Sequence, residues 1–187
     1  MSNLTFSFNN KKIKNIKNPK NLLGGKGANL AEMGRLGMPV PPGFTISTEV
    51  CDLFYKNKKK LPNRVLKNIK QELKNIEKLS GKKFGDLTNP LLVSVRSGAR
   101  ISMPGMMDTI LNLGLNDQTV KALGKKTSNA RFAKDSYRRF IQMYSNVVLN
   151  IESHLFESMI DNQKLTSGTL LDTELNEKDW DELIQQF

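Results

Sequence analysis

Two glycine-bearing segments carry the residues best suited to chemistry, and both suit the same ligand class. The first is residues 91–116, LLVSVRSGARISMPGMMDTILNLGLN. Leu91, Val93 and Val95 alternate against Leu92, Ser94 and Arg96, which predicts a strand. The run breaks into a loop carrying Gly98, Ser102, Pro104 and Gly105, and a second extended run, residues 109–113, ends at Gly114. Arg96 and Arg100 flank the loop start. Glycine lets backbone N–H groups approach an anion closely, and arginine adds a planar fork of donors, so the loop suits a polyphosphate. An ordinary β-hairpin with a long connection has the same spacing.

The second segment is Gly24-Gly25-Lys26-Gly27, at the start of a helical pattern. Free N–H groups and the positive end of the helix dipole converge at such a point. A lysine there is disfavoured by about 0.3–1 kcal/mol, a cost that a bound anion reverses. Gly27 follows Lys26 where a Walker A loop needs Ser or Thr. A glycine-rich turn with a solvent-facing lysine fits these four residues equally well. Lys26 and Arg96 together are the kind of cationic pair that neutralises a triphosphate during phosphoryl transfer. That chemistry also needs Mg²⁺, hence carboxylates. Asp108 is the only acid within residues 91–116 and Glu32 lies one to two turns along the helix from Lys26; they make no two-metal cluster, so the metal ligands are expected elsewhere.

Other reactive types are sparse. His154 is the sole histidine and has no Ser, Cys or paired carboxylate motif beside it. Cys51, near Phe54 and Tyr55, reads as a small buried thiol. Arg138 and Arg139 read as solvent-facing or ion-paired.

The elements that must position the glycine segments follow from periodicity. Leu4, Phe6 and Phe8 alternate as a short strand. A helix begins near Lys26, with Leu30, Met33 and Leu36 as its apolar face and Gly37 beyond its end. Phe44-Thr45-Ile46 restarts as a strand, and residues 49–57 form a short helix. Residues 62–80 are amphipathic, with Val65, Leu66, Ile69, Leu73 and Ile76 as the stripe, Pro62 at the start and Gly81 at the end. After the strand–loop–strand unit, Asn116 or Asp117 caps a helix running through Leu123. Residues 129–149 follow with Phe132, Phe140, Ile141, Tyr144, Val147 and Val148 on one side. A helix at 153–163 carries Leu155, Phe156, Met159 and Ile160, and another at 177–187 turns Trp180, Leu183, Ile184 and Phe187 inward behind Asn176 as cap. The expected class is α+β: a phosphate-binding part over residues 1–116, with a mixed or antiparallel sheet and flanking helices, then a helical segment over 117–187. The last helix ends on an in-phase apolar residue without a stop signal, which predicts a piece of a longer protein truncated at 187.

Composition narrows the partners. Residues 1–90 hold eighteen Lys or Arg against six Asp or Glu, whereas residues 91–187 hold eleven against twelve, so the net charge of +11 lies in the first half. Lysine and asparagine dominate there with few aromatics, which reads as solvated surface and not as a nucleic-acid groove. One cysteine excludes an internal disulfide framework and a Cys-based zinc cluster. No run has the length to span a bilayer and no signal-peptide pattern opens the chain, so no membrane partner and a cytoplasmic location are expected.

LLGGKGANLAEM followed by GMPVPPGFTIST resembles the opening of the ATP-grasp nucleotide-binding domain of dikinases that phosphorylate pyruvate. NPLLVSVRSGARISMPGMMDTILNLGLND and RFAKDSYRRFIQMYSNVV resemble the phosphate-dependent branch, the pyruvate, phosphate dikinase family. The sister family, phosphoenolpyruvate synthase, shares GGKGA and PVPPGF but continues with an acidic segment instead of GARISMPGMMDT. The resemblance implies that ATP, phosphate and pyruvate yield AMP, pyrophosphate and phosphoenolpyruvate through a phosphohistidine. It implies that Lys26 and Arg96 bind the ATP phosphates and act in catalysis. It further implies that the loop from Ser97 to Asp108, with Gly98, Ser102 and Gly105, covers them, and that Met103, Asp108 and Thr109 make further contacts. Family members carry a phosphohistidine swivel domain, a pyruvate-binding barrel and Mg²⁺ ligands outside these residues, and are expected as homodimers. The 187 residues alone are therefore expected to be inactive.

Overall fold

The computed structural model describes residues 4–8, 16–98 and 109–187. Along them run β1 (Thr5–Ser7), α1 (Pro19–Arg35), β2 (Phe44–Ile46), α2 (Glu49–Lys56), α3 (Asn63–Ser80), β3 (Val93–Arg96), β4 (Thr109–Leu113), α4 (Thr119–Thr127), α5 (Ala130–Leu149), α6 (Ser153–Ser167) and α7 (Glu177–Gln186). The class is mixed α+β, with β1 paired to β2 and β3 to β4, both antiparallel. The chain groups into two compact units, Met1–Gly81 with Ser97–Met107, and Lys82–Arg96 with Asp108–Phe187.

In the first unit, α1 packs on the β1–β2 ribbon. Phe6, Leu23, Ala28 and Ala31 form its core, with Ile16 and Leu22 packed against them. A second cluster, Leu4, Val50 and Val65 with Leu53 and Ile69, ties α2 and α3 to β1. Gly81, at φ 65°, ends α3 in the left-handed conformation that glycine adopts without strain. Lys67, Lys70, Lys74 and Lys78 are exposed along α3, as the amphipathic pattern predicts.

Two expectations fail in this unit. The face of α1 read from Leu30, Met33 and Leu36 is not the buried one: Met33 and Leu36 are 37% and 61% exposed, and Gly27, Ala28 and Ala31 are buried. Small residues let the helix axis approach the ribbon, and the larger side chains are left outside. Cys51 is exposed, because α2 turns Val50 inward instead.

In the second unit, Val93 stands opposite Leu113, Val95 opposite Ile110 and Arg96 opposite Thr109. This register gives β4 one extra residue, a bulge near Asn112, whose φ of 58° asparagine tolerates. Asn116 Oδ1 accepts from the N–H groups of Gln118 and Thr119, so Asn116 supplies the expected cap of α4. Ile160, Leu175, Trp180 and Leu183 form the core beside α6 and α7, and Phe187 packs edge-on against Phe156 at 4.9 Å. Asn176 Oδ1 caps α7 by accepting from Lys178 and Asp179 N–H.

The long helix α5 departs most from expectation. Its large apolar residues are not its buried face: Phe132, Tyr144 and Val148 are 48%, 36% and 49% exposed. Ala133, Ser136, Arg138 and Ser145 are buried instead. Arg138 lies over Trp180, 4.6 Å from the ring centre, and pairs with Asp135. Of the two readings of Arg138, solvent-facing or ion-paired, the ion pair is present and the guanidinium is buried, its flat face stacked while its edge is neutralised.

Candidate polyphosphate site

The Gly24–Gly27 segment is a break inside α1. Pro19 suits the first turn, where its missing N–H costs nothing. At Gly24 the backbone takes φ 70° and ψ 170°, outside the helical region, and helical geometry resumes after it. That conformation belongs almost only to glycine. The result is a second helix start, carrying Gly25, Lys26 and Gly27 in its first turn. Lys26 is half-buried there, while Gly24 and Gly27 are buried. The expected helix beginning near Lys26 is thus present, preceded by an extra turn from Pro19.

Gly27 sits where α1 meets β2. A Cβ at this position would stand 2.7 Å from Thr45 Oγ1, 2.9 Å from Thr45 Cγ2 and 3.3 Å from Leu23 Cβ. The hydrogen in place of a side chain therefore sets how near the second helix start comes to the ribbon.

Ser97 and Gly98 belong to the same unit and are exposed. A Cβ on Gly98 would lie 3.8 Å from the carbonyl oxygen of Leu23, so the first residues of the glycine loop run beside the turn that precedes Gly24. Sequence spacing does not reveal this meeting of the two segments, because 74 positions separate Gly24 from Gly98.

Arg96 ends β3 and is exposed, directly across from Thr109 at the start of β4. A directly opposed pair shares one face of the ribbon, so guanidinium and hydroxyl project to the same side. Ser102, Met103, Gly105 and Asp108 lie outside the described residues, as does Arg100.

Among the described residues no group of three or more His, Cys, Asp or Glu is gathered to hold an ion. Glu32 is engaged by Arg35, whose hydrogen bond holds the Glu32 carboxyl below its ordinary range. His154 is exposed, with Nδ1 3.0 Å from Glu152 Oε2. No helix in the described residues is long and apolar enough to cross a membrane.

Sequence reasoning missed two supporting threonines on and beside β2. Thr45 packs against Gly27, and Thr48 donates its hydroxyl to the carbonyl of Asn21 at 2.6 Å. Neither belongs to a glycine motif, and their partners lie 18 and 27 positions away, so no local signal marks them.

The chain is α+β, with a glycine-broken helix start bearing Lys26 in the first unit and a strand ending in Arg96 in the second. The model of the family described as pyruvate phosphate dikinase, AMP/ATP-binding domain, matches residues 20–79 and 57–171. The chain is 56% identical to pyruvate, phosphate dikinase of Clostridium symbiosum over 90% of its own length and 19% of that protein. It is 46% identical to the Rhizobium meliloti enzyme of that name over 100% of its length and 21% of that protein. It is 50% identical to the chloroplastic form of Flaveria pringlei over 97% of its length and 19% of that protein. The chain spans about a fifth of the length of the curated relatives it matches. It belongs to the pyruvate phosphate dikinase AMP/ATP-binding domain family.

Proposed function

We propose that the chain supplies the ATP-phosphate-binding part of a phosphotransferase that converts ATP, phosphate and pyruvate to AMP, pyrophosphate and phosphoenolpyruvate through a phosphohistidine. The observation that carries this reading is the glycine-broken start of α1 in a chain of the AMP/ATP-binding family. A helix start at Gly25 aims backbone N–H groups at an anion, and Lys26 in that turn adds a full positive charge.

In this reading Lys26 and Arg96 hold the nucleotide phosphates, where an ammonium and a guanidinium stabilise the charge that shifts during transfer. Ser97, Gly98 and Thr109 contact the nucleotide, as do Ser102, Met103, Gly105 and Asp108 within the loop. The domain is of ATP-grasp type. Functionally it divides into a phosphate-binding part, residues 1–116, and a supporting helical part, residues 117–187. Mg²⁺ accompanies ATP and neutralises charge on the phosphates, and its ligands come from outside these 187 residues. The further partners are a phosphohistidine swivel domain, a pyruvate-binding barrel and a second copy of the whole enzyme, in the cytoplasm. The exposed lysines of α3 are solvated surface and take no nucleic acid.

Photolabelling with an azido derivative of ATP, followed by peptide mapping, tests the assignment. Label is expected on peptides containing Lys26 or Arg96 and suppressed by excess ATP. Label confined to other peptides overturns it. Without the histidine and pyruvate domains the chain forms no AMP from ATP, phosphate and pyruvate, and AMP formation contradicts that part.

A further inference from the structure

Within a straight α-helix the carbonyls of Asn21 and Leu22 would accept from the N–H groups of Gly25 and Lys26, four residues on. Gly24, at φ 70° and ψ 170°, turns the chain out of that ladder. Both carbonyls have another donor. Thr48 Oγ1 donates to the Asn21 carbonyl at 2.6 Å, and Thr48 N–H donates to the Leu22 carbonyl at 2.9 Å. One residue at the corner between β2 and α2 thus takes over two acceptors at the end of the first turn of α1. Thr48 is itself fixed, since its carbonyl accepts from Cys51 N–H at 3.0 Å and Ser47 N–H bonds the Leu4 carbonyl at 2.9 Å. The donor therefore comes from the hydrogen-bonded N-cap residue of α2, two positions beyond the end of β2.

We propose that Thr48 is a positioning residue for the phosphate site: by satisfying Asn21 and Leu22, it holds the break at Gly24 open and leaves the Gly25 and Lys26 N–H groups for a nucleotide phosphate. The inference rests on the polyphosphate reading of Gly24–Gly27 and adds the residue that keeps it preorganised. The Oγ1 contact is the separable half, because every residue except proline at position 48 retains the backbone N–H. Removing the hydroxyl leaves Asn21 to recapture a donor from the helix that follows, and Gly25 N–H is the one that helical geometry offers it.

Amide hydrogen exchange on this chain reads the claim without a variant. In the free protein the Gly25 and Lys26 amides exchange about tenfold or more faster than those of Asn29 and Leu30, which lie within the continuous ladder, and ATP slows them. Equal protection of Gly25, Lys26, Asn29 and Leu30 in the free protein overturns the proposal. Thr48→Val keeps the shape and removes the donor. It weakens ATP binding by about three- to tenfold and slows Gly25 exchange in the free chain, while Thr48→Ser leaves both within about twofold of wild type. A folded Thr48→Val chain that matches wild type in affinity and in exchange overturns the role of Thr48 alone. A folded wild-type chain that binds ATP no better than Lys26→Met overturns the phosphate reading itself, and this inference with it.

Discussion

Gly27 of α1 faces Thr45 of β2 so closely that a methyl group on the glycine would stand 2.7 Å from the threonine hydroxyl oxygen. Threonine is branched at Cβ, and both its terminal atoms are in the way, so rotation about χ1 gives no relief. Gly27→Ala gains up to about 1 kcal/mol in helix propensity and loses about 1–3 kcal/mol to overpacking. Net destabilisation is expected in urea denaturation. Thr45→Ala in the same chain restores part of it, and an unchanged or raised midpoint in Gly27→Ala contradicts the contact.

Arg138 is buried against Trp180 and also bonds Asp135 and Gln142 Oε1, the latter at 3.1 Å. Arg138→Ala removes one member of a buried charged group and is expected to cost about 3–5 kcal/mol. Arg138→Lys cannot both stack on the ring and fork to two acceptors, so it falls between wild type and alanine. Trp180 is the only tryptophan, which makes its fluorescence a direct report of denaturation at this point.

Tyr137 donates its hydroxyl to Asp117 Oδ1 at 2.9 Å. Partial burial, then the neighbouring carboxylate, pushes its ionisation from the ordinary 10 up to about 12. Folding therefore favours the protonated phenol. Its contribution is intact below about pH 10, where unfolded tyrosine is still protonated, and is lost as the pH rises toward 12. An absorbance titration of the folded chain should show a tyrosine ionising near 12. Tyr137→Phe should abolish that step, and its persistence in the variant would contradict the assignment.

Element boundaries were legible where the stop and start chemistry is local. Gly81 ends α3, Asn176 caps α7 and Asn116 caps α4, each through hydrogen bonds or dihedrals that span only a few residues. The buried faces of α1 and α5 were not legible from periodicity. Large apolar side chains mark a helix face only when the neighbour leaves room for them, and α1 meets its ribbon through Gly27, Ala28 and Ala31. On α5, Arg138 hides beneath a stack on Trp180, forty-two positions later. Lys26 and Arg96 stand out in the sequence as candidates because Lys26 lies between glycines and Arg96 two residues before Gly98. Thr45 and Thr48 do not, since what gives them meaning is a strand end brought beside α1 by folding.

Isothermal titration of the folded chain with ATP tests the central claim most directly. Saturable binding is expected for wild type, weakened about tenfold or more in both Lys26→Met and Arg96→Met, since each removes a charge-assisted contact to phosphate. Absence of saturable binding by the folded chain, or equal affinity in wild type and both variants, would contradict the account.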